Sequence, residues 1–399
     1  MIAENMKPRV AGNSVIRQMF EEGKKMAQVV GPENVYDFSL GNPNVPAPRA
    51  VSDAIVDILQ NEDPIRVHGY MSNAGFEETR QAIAEDLNRR YGTAYRAENV
   101  IMSAGAGSAL NVALKTILDP GDEVIVFAPY FVEYKNYIGN FYAETVEVAP
   151  RPDGSFLPDM EGLRKAVTEK TKAIIVNTPN NPTGVVYPET VIRQLAEILA
   201  EESERIGHPI YLISDEPYRE LVYGDAEVPH IPDYYDNTII CYSYSKSLSL
   251  PGERIGYVLV PDATDDSQEF ITAATIANRI IGIVNAPSLI QLAITRCLDA
   301  KADIAFYEKN GRTLYDGLTE AGYDCLEPRG AFYLWVKSPD EDENEFVGRL
   351  KEEHILVTPG SAFAGPGYIR ISYCVAYDTI VNSLPGFRRV AEKYSLRTR

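Results

Sequence analysis

Between residues 98 and 260 the chain repeats one pattern: a short apolar run, a cluster of small or polar residues, then a helical stretch. The runs cover residues 100–102, 123–127, 173–176, 210–213, 239–242 and 255–260, and they are rich in Val, Ile and Tyr. A strand with one wet face alternates apolar and polar side chains, whereas a strand covered on both faces does not. Several of these runs lack alternation, and helix candidates such as 108–118 and 189–206 lie between them. The pattern predicts an α/β fold, with a mostly parallel, doubly wound sheet flanked by helices.

The flanks read differently. Over residues 13–30, Ile16, Met19, Phe20, Ala27 and Val30 recur at three- and four-residue steps, which predicts an amphipathic helix. The segment 40–48, LGNPNVPAP, carries three prolines and is expected to cross a surface or a cleft as a loop. From about 290 the elements come in blocks: a helix over 290–320, strands at 331–336, 355–358 and 368–373, and a last helix from Tyr377. With an acidic loop at 340–345, this predicts a smaller α+β domain. The expected division is an N-terminal arm and loop (1–45) that belongs with the small domain, a large domain (46–285) and a small C-terminal domain (286–399). No internal repeat or low-complexity linker interrupts the chain.

Charge narrows the partners. The 399 residues include 38 Lys and Arg against 57 Asp and Glu, a net charge of −19. Such a surface repels nucleic acid and anionic lipid, so neither is an expected partner, and any bound anion needs a local cluster of donors. No apolar run approaches the ~18 residues of a membrane helix. Residues 1–10 carry no apolar leader segment, so a cytoplasmic protein is expected. Cys241, Cys297, Cys325 and Cys374 are far apart, as are the four histidines, so neither a disulfide framework nor a metal site is expected.

The chemistry is expected after the strands, because open α/β sheets bind ligands beyond the carboxyl ends of their strands. Ser103, Gly105, Ala106, Gly107 and Ser108 follow the first run and open a helix, which suits a phosphate or a plain tight turn. Phe131 follows the second run and either stacks on a flat ring or packs in the core. Asn177, Pro179, Asn181, Pro182 and Gly184 fix a turn that presents the Asn181 amide above the sheet. Asp215, at the end of a buried run, needs a cation, supplied by the protein or by a ligand. Lys246 follows Ser243 and Ser245 at another strand end, where desolvation would make its amine nucleophilic. Arg254 then offers a fork for phosphate. Ser243 and Lys246 also match the S-x-x-K of penicillin-recognising enzymes, but the S-D-N and K-T-G triplets that accompany it are missing from this sequence.

Taken in order, N-x-P-x-N-P-T-G from Asn177, D-E-x-Y from Asp215 and S-x-S-K-x-x-x-L-P-G-x-R-x-G-Y from Ser243 resemble the fold type I pyridoxal-phosphate enzymes. More narrowly, the chain is similar to the class I/II aminotransferases, with aspartate aminotransferase as the type member. The resemblance runs from Gly41 to the Tyr368–Ser372 segment. It implies that Lys246 forms a Schiff base with pyridoxal 5′-phosphate, and that Asp215 holds the proton on the ring nitrogen. It implies that Tyr218 and Asn181 donate to the phenolic oxygen, that Phe131 stacks on the ring, and that Gly105, Ala106, Gly107, Ser243, Ser245 and Arg254 hold the phosphate. Arg370, supported by Asn177, would bind the substrate α-carboxylate near Gly41. Tyr70 would reach the phosphate of a neighbouring subunit, which implies a homodimer. The implied reaction moves an amino group from an L-amino acid to a 2-oxo acid, with the freed Lys246 amine as general base and then acid.

Substrate choice stays open at this point, with aspartate as one candidate donor. One subgroup of the family reads a side-chain carboxylate with an Arg shortly before an Asn-Pro-Pro segment. Aligned on Asn285, that position holds Ile280, and the neighbouring Arg279 is one residue out of step, which points it elsewhere. Another subgroup places a Lys where this chain has Gly107. Tyr333 borders the substrate pocket or packs in the core. Two other functions are weighed: a β-lyase of the same fold type, and a non-catalytic regulatory module, against which the intact Lys246, Asp215, Tyr218 and Arg370 argue.

Overall fold

The structure is a computed structural model that describes residues 2–11 and 15–396. The helix expected over 13–30 is described as Val15–Val30. Residues 13 and 14 lie outside the described residues. A short strand, β1 (Tyr36–Asp37), precedes the loop over 40–48. A seven-stranded sheet follows, made of β2 (Val100–Ser103), β3 (Glu123–Phe127), β4 (Glu144–Val148), β5 (Thr171–Asn177), β6 (Tyr211–Glu216), β7 (Thr238–Ser243) and β8 (Gly256–Leu259). Their order is β2-β8-β7-β6-β5-β3-β4. Neighbours from β7 through β4 pair parallel, and β8 runs antiparallel to both β7 and β2.

The alternation of side chains along each strand loads both faces. On β7, Ile240 and Tyr242 pack with Val51, Ile58, Ile83 and Ile294 from the helices Arg49–Asn61, Glu77–Tyr91 and Ser288–Thr295. Ile239 and Cys241 pack on the opposite side with Leu110 and Ala274, from the helices Ala106–Ile117 and Ser267–Ile280. Strands β5 to β7 are therefore covered on both sides, which explains their unbroken apolar runs. The β4 strand is the one the sequence pattern passes over. It is an edge strand, paired with β3 alone, and Glu144 and Glu147 are exposed. Charged side chains keep such an edge solvated, and they also hide it from a search for apolar runs.

The chain closes with β9 (Tyr333–Lys337), β10 (Ile355–Leu356), β11 (Thr358–Pro359) and β12 (Tyr368–Ser372), then the helix Tyr377–Lys393. Strands β11, β12 and β9 form an antiparallel three-stranded sheet. Strand β1 pairs parallel with β10, and Phe38 joins the C-terminal core beside Ile355 and Phe387. One expectation is corrected here. The single helix expected over 290–320 is two, Ser288–Thr295 and Ile304–Glu320. The first ends at Thr295, and Asp303 starts the second by capping it, its carboxylate accepting from Phe306 N–H at 3.1 Å. The first helix packs with Glu77–Tyr91 against the large sheet, and the second with Tyr377–Lys393. The break between them touches the site described next, since Ala302 N–H donates to the Ser247 carbonyl at 3.0 Å.

Candidate active site

Because β2, β3, β5, β6 and β7 are parallel, their C-terminal ends lie along one edge of the sheet, and β8 begins there. The register places Ser103 and Ser243 opposite Gly256, and Asn177 opposite Asp215. A cleft of about 290 Å³ opens over this edge. It is lined by Gly41, Ala106, Gly107, Phe131, Asn181, Asp215, Tyr218, Ser243, Ser245, Lys246, Arg254 and Arg370, which between them come from every segment that the sequence singled out after a strand. Gly105 adjoins it through Arg254. Tyr70 does not: it stands on the surface, 94% exposed.

Lys246 sits on a one-turn helix, Tyr244–Ser247, capped by the Ser243 hydroxyl, which accepts from Ser245 N–H at 3.1 Å. Its amine donates to the Gly41 carbonyl at 2.8 Å, so the proline-rich loop crosses the cleft as expected. Burial penalises the ammonium, and the nearby positive charges of Arg254 and Arg370 add to this, pulling its pKa down to about 8. Asp215, 4% exposed, accepts from the Tyr134 hydroxyl through Oδ2. Its Oδ1 is buried with no partner among the described residues. Burial pushes this carboxyl up to about 7, against the opposing effect of the Tyr134 hydrogen bond.

Arg370 is 2% exposed, on β12. Its guanidinium lies 4.6 Å from the Tyr333 ring centroid and 4.5 Å from that of Phe363. It donates to the Ser39 carbonyl at 2.7 Å and to Asn181 Oδ1 at 3.0 Å, and its Nε has no partner among the described residues. The expected support from Asn177 is corrected: Asn177 reaches Arg370 only through Asn181. The Asn177 amide donates to the Asp215 carbonyl at 2.9 Å, and its oxygen accepts from Asn181 N–H at 2.7 Å. As the last residue of β5 it is used up in fastening the turn, which leaves Asn181 to aim at the guanidinium.

At the other end of the cleft, the helix Ala106–Ile117 starts after Gly105, which caps it without a side chain. The first bond to close its first turn is Ala109 N–H to the Gly105 carbonyl at 3.0 Å, so the preceding N–H groups are open to a ligand. Gly105 has φ +85°, and a Cβ there would lie 2.9 Å from Arg254 Nη2. Only glycine lets the guanidinium come this close in that conformation. Arg254 is anchored by the Pro251 carbonyl at 2.8 Å, and Ser243 donates to the Ser245 hydroxyl at 2.7 Å.

Three residues of the site carry no signal in the sequence. Tyr134 and Tyr137 lie on the helix Glu133–Gly139, which follows Phe131. Phe363 ends the short 3₁₀ helix Gly360–Phe363 that follows β11. Tyr333, left open above, is buried and lines the cleft, and its hydroxyl pairs with that of Tyr218 at 2.8 Å. A Cβ on Gly41 would collide with that Tyr333 hydroxyl. The arrangement combines an amine that loses its proton easily, a buried carboxylate oxygen in need of a donor, an anion cradle and a buried guanidinium.

Comparison with known proteins agrees. Residues 33–381 match the family "Aminotransferase class I and II". The aspartate/prephenate aminotransferase of Thermus thermophilus is 33% identical over 357 residues, covering 88% of this chain and 90% of its own. The aspartate aminotransferase of Pyrococcus horikoshii is 31% identical, with 95% of each chain covered. A solved aminotransferase from Eubacterium rectale superposes with a TM-score of 0.96 at 46% identity over 99% of each chain. The aspartate aminotransferase of Thermus thermophilus solved with maleate gives 0.85 at 30% identity, covering 98% of this chain and 100% of that one. By matched sequence, by fold and by the residues gathered at the sheet edge, this chain belongs to the class I and II aminotransferases.

Proposed function

We propose that this transaminase holds pyridoxal 5′-phosphate through Lys246 and works as a homodimer on an L-amino acid and a 2-oxo acid. One observation carries the reading. Asp215 Oδ1 is buried and has no partner among the described residues, and Asp215 lines the same cleft as a lysine amine whose proton is loosely held. A buried polar atom without a partner costs about 1–3 kcal/mol, and a protonated ring nitrogen would supply both the missing donor and the missing charge. Bound there, the cofactor supplies a carbonyl carbon that exchanges amines and a protonated ring that accepts electron density.

The chain's own residues do the rest. The open N–H groups at Ala106 and Gly107, with Ser243, Ser245 and Arg254, hold the phosphate. Tyr218 and Asn181 orient the ring, and Phe131 gives it an apolar wall. Arg370 binds the substrate α-carboxylate. Stacked between two aromatic rings and tied by two hydrogen bonds, it loses little freedom when substrate arrives. Lys246 Nζ takes the proton from the substrate α-carbon and would deliver it to the cofactor carbon that receives the amino group, as base and then acid. Burial, which pulls its pKa down to about 8, suits both tasks near neutral pH.

The dimer rests on one surface. Tyr70 is 94% exposed, Ile65 81% and Ile280 58%. Their segments adjoin, since Asn285 Nδ2 donates to the Ser72 carbonyl at 2.8 Å and the Ser288 hydroxyl to the Val67 carbonyl at 2.5 Å. A second copy would cover these apolar groups and bring Tyr70 to the neighbouring phosphate.

Arg370→Ala is expected to raise the KM of the amino donor about 100-fold or more, the loss of a buried charge-assisted pair, while leaving the cofactor absorbance unchanged. Aspartate is the donor to test first, because the relatives named above carry aspartate in their names. Among the described residues, the cations that line the cleft are Lys246, Arg254 and Arg370, each with a role already. A second substrate carboxylate would therefore need a cation from outside the cleft, and Arg279 is the one to test first: Arg279→Ala should raise the KM of aspartate but not that of alanine. The test of the whole reading is a panel of twenty amino acids against 2-oxoglutarate and pyruvate. An amino acid should bleach the yellow cofactor and a 2-oxo acid restore it. Release of ammonia and pyruvate from a cysteine conjugate with no acceptor present, and no transfer, would overturn it in favour of a β-lyase.

A further inference from the structure

We propose that the hydroxyl of Tyr137 is a further phosphate donor of the cofactor site, filling the place of the side chain that Gly107 lacks. The inference rests on the pyridoxal-phosphate reading and extends it to a residue outside every motif that the sequence displays. It starts from a gap. Gly107 lies in the open first turn of the helix Ala106–Ile117, where a side chain would hang over the anion cradle. A Cβ built on it would meet Tyr137 Oη at 2.9 Å, Cζ at 3.7 Å and Cε2 at 4.0 Å. The phenol thus points its oxygen first into the space that glycine vacates.

That oxygen is unspent. Tyr137 lines the same cleft as Gly107, Ser243, Ser245 and Arg254, and its hydroxyl has no hydrogen-bond partner among the described residues. It feels the carboxylates of Glu133 and Asp215 and, opposing them, the positive charge of Arg254. Burial holds its pKa up at about 12, so it remains a proton donor throughout the working range. An O–H donor beside open backbone N–H groups and a guanidinium is suited to an anion and poorly suited to an apolar side chain.

The placement also follows from helical spacing. Tyr134 and Tyr137 are three residues apart on the helix Glu133–Gly139 and so share one face. Tyr134 reaches Asp215, at the ring-nitrogen end of the site, and Tyr137 reaches Gly107, at the phosphate end. One turn of helix delivers a phenol to each end of the cofactor.

The test measures binding rather than turnover. Pyridoxamine 5′-phosphate and pyridoxamine bind without a covalent bond to Lys246 and differ only in the phosphate. Their dissociation constants should be titrated on the full-length wild-type apoenzyme, on Tyr137→Phe, and on Tyr137→Phe with Gly107→Ser. Tyr137→Phe should weaken the phosphorylated ligand about 10- to 100-fold, as expected for one hydrogen bond to a charged group, and leave pyridoxamine unchanged. Without the phenolic oxygen, a Cβ at position 107 meets nothing closer than the ring carbon at 3.7 Å, so the serine side chain fits and its hydroxyl should recover part of the loss. An equal loss for both ligands, or none, overturns the assignment of Tyr137. Thermal melts of the three apoproteins show whether a loss is one of folding, and the doubly substituted protein decides the matter if Tyr137→Phe alone folds poorly: no phosphate-specific gain there also overturns the assignment. If the wild type itself does not prefer the phosphorylated ligand, the cofactor reading fails along with it.

Discussion

Replacing Lys246 by Ala is expected to lower kcat by four orders of magnitude or more, because one side chain acts as both the nucleophilic amine and the general base, each worth about 10²–10⁴-fold or more. The protein should still fold. Among the described residues the amine makes a single hydrogen bond, to the Gly41 carbonyl, and the residue follows a strand whose core contacts come from Ile239, Ile240, Cys241 and Tyr242. The charged amine is itself a burden on the empty site. Its pKa falls from 10.5 to about 8 on folding, so the unfolded chain binds the extra proton between those values. Stability contributed by this group therefore rises as pH climbs from about 8 to 10.5, and below pH 8 the ammonium is held at a cost. The apoprotein of Lys246→Ala should accordingly lose less stability at pH 7 than at pH 10, and a pair of melts reads this. Borohydride reduction followed by peptide mass analysis reads the chemistry: a reduced vitamin B6 adduct at position 246 in the wild type, and none in the variant. An adduct on a different lysine in the wild type would overturn the assignment.

What the sequence makes legible here, and what it does not, follows from burial. Strands β5, β6 and β7 announce themselves because both faces are dry, and the residues after them stand out because polar groups at the ends of dry strands need a reason. Asp215 and Lys246 are visible in this way. Strand β4 is not, since its exposed glutamates are what an edge requires. The break at residues 296–303 is hidden for a different reason: no Gly or Pro marks it, and its one cue is Asp303, which caps the second helix by accepting from Phe306 N–H. The choice between two amides four residues apart is also beyond the sequence. Asn177 and Asn181 are equally able to face Arg370 until the turn between them takes one amide for its own backbone. Tyr134 and Tyr137 read as ordinary members of an amphipathic turn, because helical spacing tells which residues share a face and says nothing about what the face meets.

Asp215→Asn should separate the two roles of the carboxylate, by making the empty enzyme more stable and the loaded one inactive. In the apoprotein, burial pushes the carboxyl up from 3.8 to about 7. Between these values the folded protein holds a proton that the unfolded chain has released. Stability therefore falls as pH rises from about 4 to about 7, and above pH 7 the full penalty applies, of the order of 4 kcal/mol at one pKa unit per ~1.4 kcal/mol. Asparagine has the same shape, can still accept from the Tyr134 hydroxyl, and carries no charge to desolvate. Its apoprotein should melt several degrees above the wild type at pH 8, and the difference should vanish by about pH 4. Cofactor reverses the order. A ring cation beside Oδ1 gives the wild-type carboxylate the partner it lacks, so pyridoxal 5′-phosphate should raise the wild-type melting temperature far more than that of the variant. Turnover should fall about 1,000-fold or more in Asp215→Asn, since an amide cannot hold the ring nitrogen in its charged form. A variant that melts lower than the wild type when empty at pH 8, or that keeps turnover within tenfold, would show that the carboxylate at 215 is structural and that the charge on the ring is held by another group.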